Sequence, residues 1–162
     1  MIKRTILGFL LTAIATWMLA SPFTVISENP NELVVEFRLP DWNFDYIEQN
    51  GQRWHRISCD DASSFVKEGF PELVSFSEAV GIPIDGDVSI NVSNGKQTKL
   101  NNINLSPARK MVINGWDVDY IFYQDHLAYS KSVLYPAQVV DKGSSAFIGD
   151  RRFIPLQVYP FQ

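Results

Sequence analysis

Apolar and polar residues alternate in short runs along most of the chain, and turn signals separate these runs. Strict alternation is typical of a strand with one buried face. Asn50-Gly51 interrupts the alternation over 42–59, and Asn114-Gly115 interrupts it over 110–123. Because Asn-Gly is the dipeptide most typical of a two-residue hairpin turn, both stretches are predicted to be β-hairpins.

A second group of signals begins at Gly69. Gly69 and Pro71 predict a turn, the apolar run that follows to Val80 predicts a strand, and the Gly-Ile-Pro sequence at 81–83 ends it. Beyond the next turn, alternation over 88–92 predicts another strand.

Asn94-Gly95 then predicts a turn into a returning strand over 97–105, which Pro107 ends. One helical turn is predicted over 60–67, where Asp60 or Asp61 would cap the N-terminus.

The remaining strands are predicted at 32–39, 135–140, 147–148 and 153–159. No long apolar period of 3.6 residues follows residue 20, which argues against a β/α architecture. The pattern predicts an all-β protein, a jelly-roll-like antiparallel β-sandwich of nine or ten short strands. Because alternation continues to the last residues, we expect the chain to be part of a longer protein.

The first twenty residues have a different character. Lys3 and Arg4 precede an apolar run over 6–20 that carries no charge and ends in small residues. This layout is typical of a secretory signal peptide, and the run is short for a membrane span, which favours cleavage over an uncleaved anchor. We expect a signal peptide over 1–20 and one domain over 21–162, with membrane contact through the signal peptide alone.

Charge and cysteine content exclude some functions. Loss of the two basic residues in the signal segment changes the formal net charge from −4 to −6. An acidic chain without a Lys or Arg cluster is a poor candidate for binding nucleic acid. The single cysteine, Cys59, cannot form an internal disulfide, so the exported domain must rely on its core.

Catalytic signatures are weak. A thiol nucleophile requires a base, but His55 lies about 13 Å along an extended strand from Cys59, and His126 would have to approach from elsewhere. The sequence lacks the Gly-x-Ser-x-Gly motif and any glycine-rich phosphate loop. The pattern favours a structural thiol, with a small secreted hydrolase that uses Cys59 as an alternative.

Acidic pairs and aromatic residues are the other candidates. Asp85-Gly-Asp87 and Asp117-Val-Asp119 do not continue into a calcium loop, so no metal or other cofactor is expected. Trp42, Tyr46 and Trp54 fall in one predicted hairpin, where they could fill a core or form a binding platform. A secreted carbohydrate- or protein-binding module is therefore a second alternative.

The order of turns and prolines resembles the N-terminal propeptide domain of gingipain-type cysteine peptidases. The matching pieces are Gly69-Phe-Pro71-Glu-Leu73, Ile82-Pro83, 88–92, Leu105-Ser-Pro107-Ala108 and 156–162. The chain departs from the family at Leu73-Val74, where Leu-Pro is usual, and its last motif stops before the usual Tyr-Asn-Pro.

The resemblance implies a non-catalytic β-sandwich prodomain between a signal peptide and a caspase-like cysteine peptidase domain. Its partner, in cis or in trans, would be that gingipain-like peptidase domain, which it would help to fold and keep latent during export. The motif residues carry over as structural positions: Gly69, Pro71, Leu73, Ile82, Pro83 and Pro107. No catalytic residue carries over. The implied location is the periplasm, cell surface or exterior of a Gram-negative, Bacteroidetes-like bacterium with type IX secretion.

Latency requires a loop that blocks the active-site cleft. The polar segment 124–133 lies between two predicted strands, and a basic side chain could fill the specificity pocket of a peptidase that cleaves after Arg or Lys. Lys131 is the candidate inhibitory residue, and an ordinary solvated loop lysine is its alternative.

Overall fold

The computed structural model describes residues 21–93, 95–130 and 134–162. This part of the chain contains eleven strands and one short helix. The strands are β1 Phe23–Asn29, β2 Glu32–Phe37, β3 Trp42–Gln49, β4 Gln52–Cys59, β5 Ser63–Phe65, β6 Leu73–Ile82, β7 Lys110–Asn114, β8 Asp117–Ile121, β9 Val140–Lys142, β10 Ala146–Ile148 and β11 Arg151–Val158, and the helix is α1 His126–Ser130. The predicted β class is confirmed, as several antiparallel sheets.

The chain divides into two compact units, 1–37 and 38–162. In the first unit, β1 and β2 form an antiparallel hairpin with a register shift between Val25 and Ser27. The hairpin turn is closed by an Asn31 backbone N–H that donates to Asn29 Oδ1 over 2.9 Å, a local bond typical of asparagine in turns.

The centre of the second unit is a five-stranded antiparallel sheet. Its order is β10-β11-β6-β5, and β9 also pairs with β11. β6 and β11 pair from Phe76 opposite Val158 to Ile82 opposite Arg152. The first four residues of β6, 73–76, are all buried, so this end of the strand is covered on both faces. Core side chains also come from β4, β11 and the chain's end: Trp54, Ile57, Ile154, Val158 and Tyr159.

Two hairpins predicted from Asn-Gly are confirmed. The β3–β4 turn has Asn50 at φ 55° and Gly51 at φ 72°, the two positive values that a type I′ turn requires. The β7–β8 turn starts with Gly115 at φ 65°, as at the first central position of a type II′ turn.

The predicted helical turn over 60–67 is wrong. Asp61 adopts φ 60°, a left-handed conformation that does not continue a right-handed helix. Ala62 N–H instead donates to Cys59 O over 3.4 Å in a turn, and the chain then enters β5, which pairs with the start of β6.

The predicted strands at 88–92 and 97–105 are also wrong. The described residues between β6 and β7 form no named strand, only isolated bridges. Alternation reports an extended chain with one apolar side, and it does not identify a hydrogen-bonding partner. The end of this segment pairs with β4 instead of with 88–92.

Within the described residues, no helix is both long and apolar enough to cross a membrane. The predicted signal peptide, residues 1–20, lies outside the described part of the chain.

Candidate functional site

Residues 104–108 join two parts of the second unit through backbone hydrogen bonds. On one side, His55 N–H donates to Asn104 O over 2.7 Å, and Ser106 N–H donates to His55 O over 2.8 Å. The His55 ring adds to this pairing, because its Nδ1 lies 3.2 Å from the Asn104 backbone nitrogen. The segment is thereby fixed along β4.

The other side of the same segment pairs with the turn before β6. Gly69 N–H donates to Ala108 O over 3.0 Å, and Ala108 N–H donates to Phe70 O over 2.8 Å. Pro71 and Pro107 lie opposite each other in this short antiparallel bridge. Proline has no N–H to donate, so the bonds come from the neighbouring residues. The two motif regions around these prolines are therefore physically connected.

Gly69 also holds the start of the chain segment that follows β8. Its carbonyl accepts a hydrogen bond from Asp125 N–H over 3.0 Å. Its φ is +79°, and a Cβ at this position would lie 2.6 Å from Cε1 of Tyr123. Both the left-handed backbone and the close approach of the ring require glycine.

Asp125 then starts helix α1. Its Oδ1 accepts hydrogen bonds from Leu127 N–H over 2.8 Å and from Ala128 N–H over 3.2 Å. These bonds satisfy backbone donors that have no partner within the helix, as an N-cap residue does. The helix interrupts a segment that was predicted to be a loop, and the Asp before His-Leu-Ala was the sequence signal for it.

Tyr129 attaches α1 to the 104–108 segment. Its hydroxyl donates to Leu105 O over 2.9 Å, and its ring meets Trp54 edge-on with 6.3 Å between centroids. Burial raises the pKa of Tyr129, and the carboxylate of Glu72 raises it further. The hydroxyl is therefore protonated at neutral pH and remains a hydrogen-bond donor.

The far end of the chain segment that follows β8, at Tyr135 and Pro136, is fixed against the core. Tyr135 stacks on Phe65 with ring centroids 5.6 Å apart and packs against Phe70 at 5.0 Å. The peptide bond between Tyr135 and Pro136 is cis. Pro136 is buried, and its carbonyl accepts a hydrogen bond from Gln162 Nε2 over 2.7 Å.

We refer to residues 122–136 as the anchored loop. Asp125 and Tyr129 fix its beginning, and Tyr135 and Pro136 fix its end. Lys131, the predicted inhibitory residue, lies within this loop but outside the described residues, which stop at 130 and resume at 134.

The other motif positions lie in or beside the central sheet. Leu73 starts β6 and is 1% exposed. Ile82 ends β6 opposite Arg152, and Pro83 follows directly. Together with the turn at Gly69, these positions define the two ends of the longest strand.

Cys59 is a poor nucleophile in this structure. Burial raises the pKa of its thiol, and the neighbouring carboxylates of Asp60, Asp41 and Asp61 raise it further. Its Sγ donates to Asp41 O over 3.4 Å, whereas His55 is held by the backbone of Asn104. Protonation of the thiol opposes nucleophilic chemistry, which requires the thiolate.

The predicted acidic pairs do not gather into a metal site. No cluster of three or more His, Cys, Asp or Glu side chains suited to a metal occurs among the described residues. Asp117 and Asp119 lie on β8 opposite Asn114 and Val112, so they occupy one face of a hairpin.

The pleat of the β3–β4 hairpin separates one of the three aromatic residues proposed for a binding platform from the other two. Trp54 pairs with Ile47, whereas Tyr46 pairs with His55, so Trp54 and Tyr46 lie on opposite faces. Trp54 is 3% exposed, and its ring packs on Phe122 at 5.3 Å. A coplanar platform of Trp42, Tyr46 and Trp54 is therefore absent.

Residues 18–162 match the family model Propeptide_C25. The chain belongs to this family, and it is a non-catalytic propeptide domain of a C25 cysteine peptidase. The predicted resemblance to gingipain-type propeptides is confirmed. Membership also associates the chain with secreted bacterial peptidases.

Several solved chains share the fold, among them two from Porphyromonas gingivalis. The complex of Porphyromonas gingivalis RgpB pro- and mature domains matches with a TM-score of 0.76 at 14% identity, over 86% of this chain and 73% of that one. A structure of gingipain K from Porphyromonas gingivalis, described as an insight into zymogenic latency, matches with a TM-score of 0.68 at 15% identity, over 90% of this chain and 82% of that one. No curated protein matches the chain.

Proposed function

We propose that this propeptide domain assists the folding of its gingipain-like cysteine peptidase domain and keeps it latent by inserting the anchored loop into the active-site cleft. The observation that carries the proposal is the attachment of this loop at both ends to a domain that has no catalytic machinery of its own among the described residues. An inhibitor must hold its blocking segment in one conformation, because a loop that orders only on binding pays an entropic cost in affinity.

The attachment points support this role. The Gly69 carbonyl and the Asp125 side chain fix the loop's start, and Gln162 and the aromatic rings around Tyr135 fix its end. The fold likeness to a structure described as a complex of pro- and mature domains points in the same direction.

Within the loop, we propose that Lys131 occupies the specificity pocket of a peptidase that cleaves after basic residues. Its ammonium group would pair with an acidic residue in that pocket, and removal of the side chain would leave that acid unpaired. We expect Lys131→Ala to raise the inhibition constant against the mature peptidase domain of the same precursor by tenfold or more, about 1.4 kcal/mol.

The measurement is a steady-state inhibition assay with the purified chain added in trans. Lys131→Arg tests whether a basic side chain is sufficient, and Lys99→Ala, at an exposed lysine between β6 and β7, is the matched control and should leave inhibition unchanged. An inhibition constant for Lys131→Ala equal to that of the unmodified chain would contradict the assignment of Lys131.

We propose that residues 1–20 direct the precursor to export and that a type IX system of a Bacteroidetes-like bacterium completes its secretion. The basic head and the uncharged apolar run support the first step. We also propose that the sheets of residues 38–162 pack as a jelly-roll-like sandwich. Buried residues on β4, β6 and β11 support this packing.

A further inference from the structure

The β7–β8 hairpin has one apolar face and one mostly polar face. Residues directly opposite each other in an antiparallel pair lie on the same face of the sheet. The register pairs Met111 with Tyr120 and Ile113 with Val118. These four residues form what we call the apolar face. The other face carries Lys110, Val112, Asn114, Asp117, Asp119 and Ile121.

The apolar face is open to solvent. The exposed fractions are 49% for Met111, 61% for Ile113, 48% for Val118 and 62% for Tyr120. Trp116, at the turn, is 102% exposed. The hairpin is a separate two-stranded sheet that joins no other sheet in the described part of the chain. Scattered exposed apolar residues are ordinary, but a contiguous set with a tryptophan beside it is typical of an interaction site.

Exposure of this face is unfavourable for an isolated hairpin. A two-stranded hairpin is at best marginally stable in water and normally packs one face against another element. The alternation over 110–121 provides a complete apolar face for such packing. A partner that covers this face would stabilise both the hairpin and the complex.

The hairpin directly precedes the anchored loop in the chain. β8 ends at Ile121, and the anchored loop begins at the next residue, Phe122, whose ring packs on the buried Trp54. Three residues later, Asp125 is bonded to Gly69. The hairpin therefore leads directly into the fixed start of the loop. A partner domain that receives the loop would place part of its surface next to the hairpin.

We propose that the apolar face of the β7–β8 hairpin, with Trp116, is a second docking surface for the peptidase domain, next to the anchored loop. This inference rests on the proposed function, because it takes the loop's partner to be the peptidase domain. The facing surface of that domain would be apolar. The hairpin would supply affinity that does not depend on the specificity pocket, so the propeptide would remain bound even when the residue in the pocket is changed.

The test compares variants on the two faces of the same hairpin. Ile113→Thr/Val118→Thr removes apolar surface while keeping β-branched side chains that suit a strand. Asn114→Thr/Asp119→Asn changes the opposite face and is the matched control. Binding of each purified chain to the mature peptidase domain of the same precursor, inactivated at its catalytic cysteine, is measured by calorimetry.

We expect the apolar-face variant to bind about tenfold or more weakly and the control to bind like the unmodified chain. Amide hydrogen exchange of the unmodified chain, with and without the peptidase domain, should show new protection over 110–121. This second measurement needs no variant, so it holds even if a substitution disturbs folding.

The outcomes separate the two proposals. If the unmodified chain does not bind the peptidase domain, both the proposed function and this inference are overturned. If it binds but the apolar-face variant binds equally well and 110–121 gains no protection, only the inference fails. If the unmodified chain is a dimer by sedimentation and the apolar-face variant is a monomer, the face belongs to a second copy of the chain and the inference is wrong.

Discussion

At the scale of single residues, Gly69 connects the central sheet to the anchored loop. Its N–H donates to the Ala108 carbonyl, and its own carbonyl accepts a hydrogen bond from Asp125 N–H. Gly69 is therefore bonded both to the 104–108 segment and to the start of the anchored loop. The ring of Tyr123 fills the space where a side chain would begin. The glycine noted in the sequence as a turn residue is therefore also a packing position.

We expect Gly69→Ala to lower the free energy of unfolding by about 2 kcal/mol, because the new methyl group must displace Tyr123 and the backbone is held at a strained φ. Urea unfolding measures this change. Gly95→Ala is the control, since no atom lies within 4 Å of the corresponding position. Equal stability of Gly69→Ala and the unmodified chain would show that the loop start is not fixed as described.

At the scale of elements, a hydrogen bond from the hydroxyl of Tyr129 to the Leu105 carbonyl attaches helix α1 to the 104–108 segment. We expect Tyr129→Phe to lower the free energy of unfolding by about 1 kcal/mol at neutral pH, because the Leu105 carbonyl loses its partner. Thermal or urea unfolding measures the loss. Tyr120→Phe, at an exposed tyrosine, should not change stability at neutral pH.

The same tyrosine predicts a pH dependence. The pKa of Tyr129 is raised in the folded state, so the folded chain keeps its proton after the unfolded chain has lost it. The stabilisation is complete below about pH 10, the pKa of an unperturbed tyrosine, and it is lost as pH rises from there toward the folded pKa.

Tyr135 and Tyr159 also have raised pKa values, each mainly through burial. Tyr129→Phe should therefore make the alkaline decline in stability shallower without abolishing it. A decline equally steep in the variant would contradict the described environment of Tyr129.

Local signals predicted the elements that form through local contacts. The hairpins at 42–59 and 110–123 follow from alternation and an Asn-Gly turn, because both partners of each pair are close in sequence. The strand that ends near Pro83 was likewise predicted from its flanking turns. In such elements, the residues that determine the strand pairing all lie within about twenty positions of each other.

Elements that depend on distant partners could not be predicted in this way. Residues 104–106 pair with His55, about fifty positions earlier in the chain, and no local pattern indicates that partner. The Asp60-Asp61 pair suits a helix cap and a turn equally well, and β5 forms because β6 is available to pair with it.

The candidate site was predicted less completely than the fold. The sequence placed a functional segment at 124–133, but the residues that fix it, Asp125 and Tyr129, were not singled out. Their roles arise from contacts with Gly69 and Leu105, which only the folded chain brings together. By contrast, the predicted hairpin and its Asn-Gly turn are sufficient to predict the register, and the register places Trp54 and Tyr46 on opposite faces.

At the scale of the whole molecule, the described residues are consistent with the non-catalytic propeptide family to which the chain belongs. The partly buried thiol of Cys59 is held protonated, and the platform expected of a carbohydrate-binding module is divided between two faces. What the second unit does offer is a loop fixed at both ends and, next to it, a hairpin with an uncovered apolar face. Both features suit a domain that acts on a partner.

The most direct measurement is inhibition of the mature peptidase domain of the same precursor by the unmodified chain added in trans. The account predicts concentration-dependent, active-site-directed inhibition, with an inhibition constant of about 1 μM or lower. Full peptidase activity at propeptide concentrations of about 100 μM, well above that constant, would contradict the claim that this domain keeps its peptidase latent.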